Sequence, residues 1–351
     1  MLETITVIAG RRLVEWQEVE IDIGVDRAVR TASLTMHIPP GMDPPWPGTP
    51  ATISASGTLL LTGYVRDVNT SQGEEEWQAR IGFVSRTVDA VEASIVHPTG
   101  FTKNKDIGGI AKEFDTCGVG VQVSGAFEKL ERHQIDPGES MFDTIEPLAR
   151  ATGAMIHDSA AGLLRITNKP DGVHSGGLAQ GVNIIKATAQ FSDMEKFDTV
   201  TIRGQQMRGV GPTVLRPEGE ARDPSVRRYR PKVNVLQTEA TAATLRQAAE
   251  WRVRQAAGSA ATAQIEASGW RDMGRKVWTP NYRVYVRHPR VYLDQMMAIK
   301  SVKLKQSTVS EEGTRTILSL VDPRALGGGS AGGKSGGGWQ APEPSAIYRA
   351  L

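Results

Sequence analysis

The sequence predicts a mainly β protein with an α+β insert. Apolar and polar residues alternate with period two in the first hundred residues, and again beyond residue 183. Between these regions the apolar spacing becomes helical. Glycines and prolines interrupt the alternating runs often enough for short antiparallel strands joined by turns. A chain of 351 residues has room for more than one hydrophobic core.

In the N-terminal region Ile5 and Val7 alternate with polar neighbours, and Gly10 with Arg11 offers a turn before Leu13 and Val14. Ala32, Leu34, Met36 and Ile38 alternate with Ser33, Thr35 and His37, which describes a strand with one buried face. Leu59–Val68 and Trp77–Val88 read as two more strands across the polar tip Asn69–Glu76. The loop Pro39–Pro50 is too rich in proline for a regular element. Its Trp46 reads as a lid over the end of the β domain, with an anchor for a partner as the alternative. Frequent turns suggest a small barrel or sandwich.

The texture changes near Pro98. Ile107, Ile110, Ala111 and Phe114 recur at helical spacing, with Gly118 as a left-handed stop. A second helix spans about Ser140–Thr152, with Ser140 and Asp143 as its N-terminal cap and Gly153 at its end. Pro147 predicts a kink or an early break there. Short strands at Val119–Val123 and Leu163–Thr167 complete the insert. The β pattern returns at Asn183–Phe191 and Thr199–Gly204, followed by a basic loop and a helix over about Ala240–Ala257. Strands at Ala263–Gly269, Tyr282–Arg287, Met296–Lys303 and Thr314–Val321 follow, with Lys303 and Lys305 facing away from Val302 and Leu304. The expected domains are 1–97, 98–182 and 183–325, with residues 326–351 as a tail. Gly327–Gly338 has the composition of a flexible linker. The apolar Trp339, Ile347, Tyr348 and Leu351 make the tail's end a tethered docking peptide, and disorder is the alternative.

The bulk numbers narrow the function. Hydrophobic residues are 39% and charged residues 23%, as in ordinary soluble domains, and the formal charge of +2 is too balanced for a nucleic-acid coat. No signal peptide or membrane-spanning run is visible. The single cysteine, Cys117, rules out an internal disulfide, fits a reducing cytoplasm and reads as a small buried apolar residue. Six histidines lack metal-ligand spacing, and no nucleophile elbow, phosphate loop or dinucleotide fingerprint is present. Asp136 and Glu139 read as helix-terminal carboxylates. No catalytic, cofactor or metal site is expected, and the chain reads as a non-enzyme.

The most distinctive stretch is Gly219–Pro231, GEARDPSVRRYRP. It places Arg222, Arg227, Arg228, Tyr229 and Arg230 in one loop, with Arg216 just upstream. Guanidinium forks there suit carboxylates, phosphates or a neighbouring subunit, and a solvated basic loop is the plain alternative.

With PPWPGTPATI at Pro44–Ile53 leading to LLTGYVRDV, the insert segment IDPGESMFDTIEPLARATGAMI, VTIRGQQ and SGWRDMGRKVWTPNYRVYVR, this loop resembles the Mu-like family of phage tail baseplate hub proteins, relatives of the T4 hub. The likeness spans about residues 1–325 and omits the glycine linker and its peptide. It implies two tube-like antiparallel β-barrel domains per chain. It also implies a homotrimeric structural hub of a contractile injection system, joining the six-fold tail tube to the three-fold central spike. Other baseplate proteins would be neighbours, and DNA would only pass through the bore during ejection, without membrane insertion. The protein would reside in the virion after assembly in the host cytoplasm. In that setting the arginines of the loop, Tyr229 and Trp46 would be interface residues. The alternatives are a tail-borne cell-wall hydrolase and a DNA-binding module using the arginine loop.

Overall fold

The structure, a computed structural model, describes residues 2–39, 41–73, 77–205, 217–239, 242–311 and 313–327. The first β region comprises β1 Ile5–Ala9, β2 Arg12–Val14, β3 Glu18–Gly24, β4 Thr31–His37, β5 Pro50–Ala55, β6 Thr58–Gln72 and β7 Trp77–Ser85. The insert follows as α1 Val88–Glu92, β8 Phe101–Lys105, α2 Ile107–Glu113, β9 Val121–Ser124, β10 Leu130–Gln134, α3 Met141–Thr152, β11 Met155–Asp158 and β12 Leu164–Thr167. The rest consists of β13 Gly172–Val173, β14 Leu178–Ala179, β15 Ile184–Phe191, β16 Thr199–Gln205, β17 Glu218–Arg222, β18 Pro231–Glu239, α4 Ala242–Ser259, β19 Ala261–Ser268, β20 Tyr282–His288, β21 Leu293–Ser307 and β22 Thr314–Val321. The mainly β reading with an α+β insert is correct.

The two β regions are joined into one sheet of 14 strands. Its path runs β15-β19-β22-β21-β3-β4-β7-β6-β5-β1-β2, with β20 paired beside β21 and carrying β13 and β14. The junction is β21 against β3, antiparallel from Ser301↔Gly24 to Ser307↔Glu18. One hydrophobic cluster extends from Ile5 and Val7 through Ile21, Ile81 and Phe83 to Val302, Leu304 and Leu320.

A bulge lets β21 serve both sides. Before it, Leu293, Gln295, Met297 and Ile299 are buried; after it, Val302, Leu304 and Gln306 are buried. The period of two has slipped by one position, and the register against β22 shifts between Ile299 and Ser301. Lys300 is the additional residue. Its carbonyl accepts the N–H of Val25, and its ammonium lies 3.1 Å from Asp26. The 15-residue β6 uses the same device near Arg66, where its register with β7 shifts between Val65 and Asp67.

The outer face of the junction carries complementary charge. Lys303 lies 2.6 Å from Glu20 and 3.9 Å from Asp22, and Lys305 lies 3.1 Å from Glu20. Burial pushes the Glu20 carboxyl up, but hydrogen bonds from both lysines outweigh it and hold the group below its ordinary value. Glu3 adds a second tie: Arg271 grips its carboxylate at 2.7 and 3.0 Å, and its backbone exchanges two bonds with the Gln306 side chain.

The insert has its own core around Ile107, Ile110, Phe114, Ile145 and Leu164. Ser140 and Asp143 form a reciprocal capping box, and Gly153 closes α3 in the left-handed region at φ 69°. Contrary to expectation, α3 runs unbroken through Pro147. The cap and the buried Met141, Ile145 and Leu148 on either side of the proline hold the helix despite the missing N–H. Cys117 is another correction, because it is exposed in the turn after α2.

The insert is bolted to the first β region by Arg30 and Asp158. Their side chains meet at 2.8 Å and are 7% and 1% exposed. The guanidinium also donates to the carbonyls of Leu60 and Asp158, and the Arg30 N–H donates to Asp158 and to the Ser85 hydroxyl. Arg30→Ala should lower stability by roughly 3–5 kcal/mol in urea denaturation, because Asp158 would stay buried and unpaired. The double change Arg30→Met with Asp158→Leu should recover most of that loss.

His157, beside this pair, is buried with Nδ1 3.1 Å from the Asp158 carbonyl. Burial first, then the Arg165 guanidinium, lower its pKa to about 4. A folded value below the unfolded one of about 6.5 means that the unfolded chain takes the proton first. The His157 contribution is therefore complete above pH ~6.5 and falls by up to ~1.4 kcal/mol per pH unit toward pH 4. Denaturation at a series of pH values should show a shallower acid slope in His157→Gln.

Candidate partner interface

The arginine loop rises from a separate three-stranded sheet, ordered β17-β16-β18, with α4 packed on one face. Val200 and Ile202 meet Leu245, Ala248 and Ala249 there. Gly219 permits the contact: a Cβ at that position would lie 2.2 Å from the backbone of Leu245 and Arg246. The loop itself is shorter than the sequence suggested. Gly219–Arg222 belongs to β17, and Pro231–Glu239 forms β18, parallel to β16, leaving residues 223–230 as the connection. β18 has the alternation of a strand, with Val233 and Val235 set against Lys232 and Asn234.

Asp198 clamps both ends of the loop. Its carbonyl accepts the N–H of Asp223, its own N–H donates to the Arg230 carbonyl, and its carboxylate accepts the Arg230 N–H. Partial burial raises the Asp198 carboxyl, but the Arg230 N–H and the Thr199 hydroxyl outweigh this and hold it below its ordinary value. Asp223 folds the turn by accepting the N–H of Ser225 at 2.9 Å.

The arginines divide by role. Arg230 donates to the carbonyls of Asp193 and Met194 at 2.7 and 2.6 Å and lies over the Phe197 ring at 4.9 Å. It holds the loop together. Arg228 reaches Asp193 at 2.5 Å and Arg222 reaches Glu220 at 3.0 Å, both as exposed pairs of the kind that add little stability. Arg227 is exposed and has no ion-pair partner among the described residues. Tyr229 is 87% exposed. The loop therefore presents Tyr229 and Arg227 outward, flanked by two guanidiniums whose exposed partners are easily exchanged.

Trp46 is 67% exposed, so it is not buried as a lid over the end of the β domain. Arg216 and the peptide residues Trp339, Ile347, Tyr348 and Leu351 lie outside the described residues. The outer lysines are where expected, although acidic neighbours on β3 already pair with them.

Among the described residues no three His, Cys, Asp or Glu side chains are grouped to hold a metal ion. Among the described residues one buried His–Asp ion pair, His174 with Asp272 at 2.8 Å, has a structural occupation. Its Nε2 accepts the Thr279 N–H at 3.2 Å, so Nδ1 carries the proton and donates to Asp272. Burial lowers the His174 pKa despite the carboxylate, which fits a neutral ring between Trp278 and Tyr282. Its partners Asp272, Trp278, Thr279 and Tyr282 lie in the segment Ser268–Arg287 singled out by the resemblance.

A two-region sheet with an α+β insert and an outward-facing basic loop has counterparts among known proteins. Residues 87–168 match the family model of the second domain of gp44-like baseplate hub proteins. Residues 241–327 match that of the fourth domain of the Mu phage baseplate assembly protein GpP. The baseplate hub protein gp44 of Escherichia phage Mu is 24% identical over 343 residues, covering 92% of this chain and 88% of that protein. The 43 kDa tail protein of prophage MuSo2 from Shewanella oneidensis superposes with a TM-score of 0.82 at 26% identity, over 92% of this chain and 99% of its own. A tail protein from Neisseria meningitidis MC58 shares the fold with a TM-score of 0.77 at 17% identity, over 93% and 98% of the two chains. These matches define a structural component of a phage tail baseplate. More particularly, the chain is similar to hub and tail proteins of the Mu-like kind.

The loop analysis predicts opposite outcomes for two neighbouring arginines. Arg230→Ala should speed amide exchange across residues 223–230 by about tenfold or more, because the Asp193, Met194 and Phe197 contacts disappear. Arg227→Ala should leave exchange there unchanged and stability within about 0.5 kcal/mol of the parent.

Proposed function

We propose that three copies close into a ring that adapts the six-fold tail tube to the three-fold central spike. The observation that carries this reading is the β3–β21 junction. Each β region acts as one tube-like unit, the two being residues 1–97 and 183–325, with residues 98–182 as the insert between them. A chain holding two such units side by side offers the tube two equivalent seats, so three chains offer six. A closed ring requires one surface of a subunit to fit a different surface of the next. The arginine loop is the male part of that contact, with Arg222, Arg227, Arg228 and Tyr229 directed to carboxylates and carbonyls of the neighbour and Arg230 keeping the loop in shape. Trp46, raised on its proline loop, is a second contact for the tube or another baseplate protein. DNA passes through the bore without specific recognition, and assembly takes place in the host cytoplasm. The apolar end of the C-terminal tail is a docking peptide.

Light scattering of the purified chain over a range of concentrations tests the ring. The expected mass is three times that of the chain, and Arg227→Glu combined with Tyr229→Ala should shift the association to at least tenfold higher concentration. A monomer that stays monomeric when spike protein is added would overturn the adaptor reading. DNA binding with steep salt dependence would favour the arginine loop as a nucleic-acid site instead.

A further inference from the structure

A cleft of about 980 Å³ opens where the insert, α4 and the second β region meet. That size is at the upper end of cavities that enclose ligands of several hundred daltons. Phe142 of α3, Trp251 of α4 and Met155 of β11 give it an apolar patch, between polar walls that include Glu146, Arg150, Glu195 and Lys300. Trp251 is fixed by the turn after α3, where a Cβ on Gly153 would lie 2.3 Å from its ring.

The described chain ends beside this cleft. Ala325 and Leu326 line it, and Gly327, in the left-handed region at φ 79°, is the last described residue. Residues 328–351 thus begin at its wall. They are glycine- and serine-rich as far as Gly338, and then turn apolar with Trp339, Ile347, Tyr348 and Leu351. A glycine-rich coil of that length has a root-mean-square reach of roughly 18 Å, enough to return over the cleft and too short to favour distant surfaces. Tethering at that distance gives an effective concentration of the order of millimolar, so even a weak contact is occupied.

We propose that the segment Trp339–Leu351 docks in cis into this cleft, with Trp339 and Tyr348 against Phe142, Met155 and Trp251. The peptide then bridges the insert and the second β region across a gap that the described residues leave open. The inference supplies a receptor for the docking peptide and holds whether or not the chain forms a trimer.

Disulfide trapping in the full-length chain tests it. Cys117→Ser removes the exposed native thiol. Ala346→Cys is combined either with Gln255→Cys on the cleft wall or, as reference, with Ser71→Cys on β6; Gln255 and Ser71 are both exposed. Under oxidised glutathione the cleft pair should close within one chain at least about tenfold faster than the reference pair. Trp339→Ala with Tyr348→Ala should bring the two rates together. Equal rates with the tail intact would overturn the proposal. So would a disulfide that joins two chains in preference, which would assign the tail to a neighbouring copy. The mass measurement above is independent of both results.

Discussion

The pairing of β3 with β21 is the constraint on which the other features depend. Without it the first β region would end at an open edge, and the second would have a long strand bonded on only one side over Ser301–Ser307. With it, apolar residues of both regions enter one core beneath the ladder, and lysines meet carboxylates above it. The bulge at Lys300 is the condition for this sharing. A strand with one unbroken phase would point either Val302 and Leu304 or Met297 and Ile299 into solvent. Slipping the phase by one residue allows the first half of β21 to face β20 and the second half to face β3, with both apolar sets inward.

Attachments made around that frame differ in kind. The insert is held by Arg30 and Asp158, a buried charged contact that tolerates no loss of either partner. The small sheet bearing the arginine loop is held by α4 through close backbone packing at Gly219 and by the contact of Trp251 with Gly153. Rigid mounting of this kind suits a part that must present Tyr229 and Arg227 in one direction, because a loose loop would lose entropy on every contact it made. The same arginine-rich stretch thus contains a residue that shapes the loop and residues left over for a partner.

What the sequence revealed follows from how local each signal is. Helices α2 and α3 were readable because their caps and apolar stripes lie within a few residues of each other. So was β22, from Thr314 to Val321, whose period is intact. The strand at Glu18–Gly24 has equally clear alternation, EVEIDIG, but no turn signal of glycine, proline, Asn or Asp immediately precedes it. The expected strand Met296–Lys303 spans the bulge at Lys300, and the structure extends it to Leu293 and Ser307. Arg30 and Asp158 are 128 positions apart, and no spacing rule couples them. Trp46 and Cys117 were assigned by residue type to the interior, and the loops that carry them place both outside. The arginine loop was found by composition, but the division of labour within it needed Asp193, Asp198 and Phe197, which lie before β16 and carry no mark of that role.

The charge on β3 has a further consequence during synthesis. Lys303 lies 283 positions after its partner Glu20. At roughly 5–20 residues per second of translation, the open edge of β3 waits on the order of 15–60 s for β21 to emerge. An unpaired strand edge is a template for joining another chain, and neighbouring ribosomes on one message supply identical edges. Glu18, Glu20 and Asp22 all lie on the polar face of β3. Two such strands brought together would set carboxylate against carboxylate, which disfavours their pairing. The strand therefore rejects copies of itself while it waits, and the lysines of its own C-terminal partner end the repulsion when they arrive.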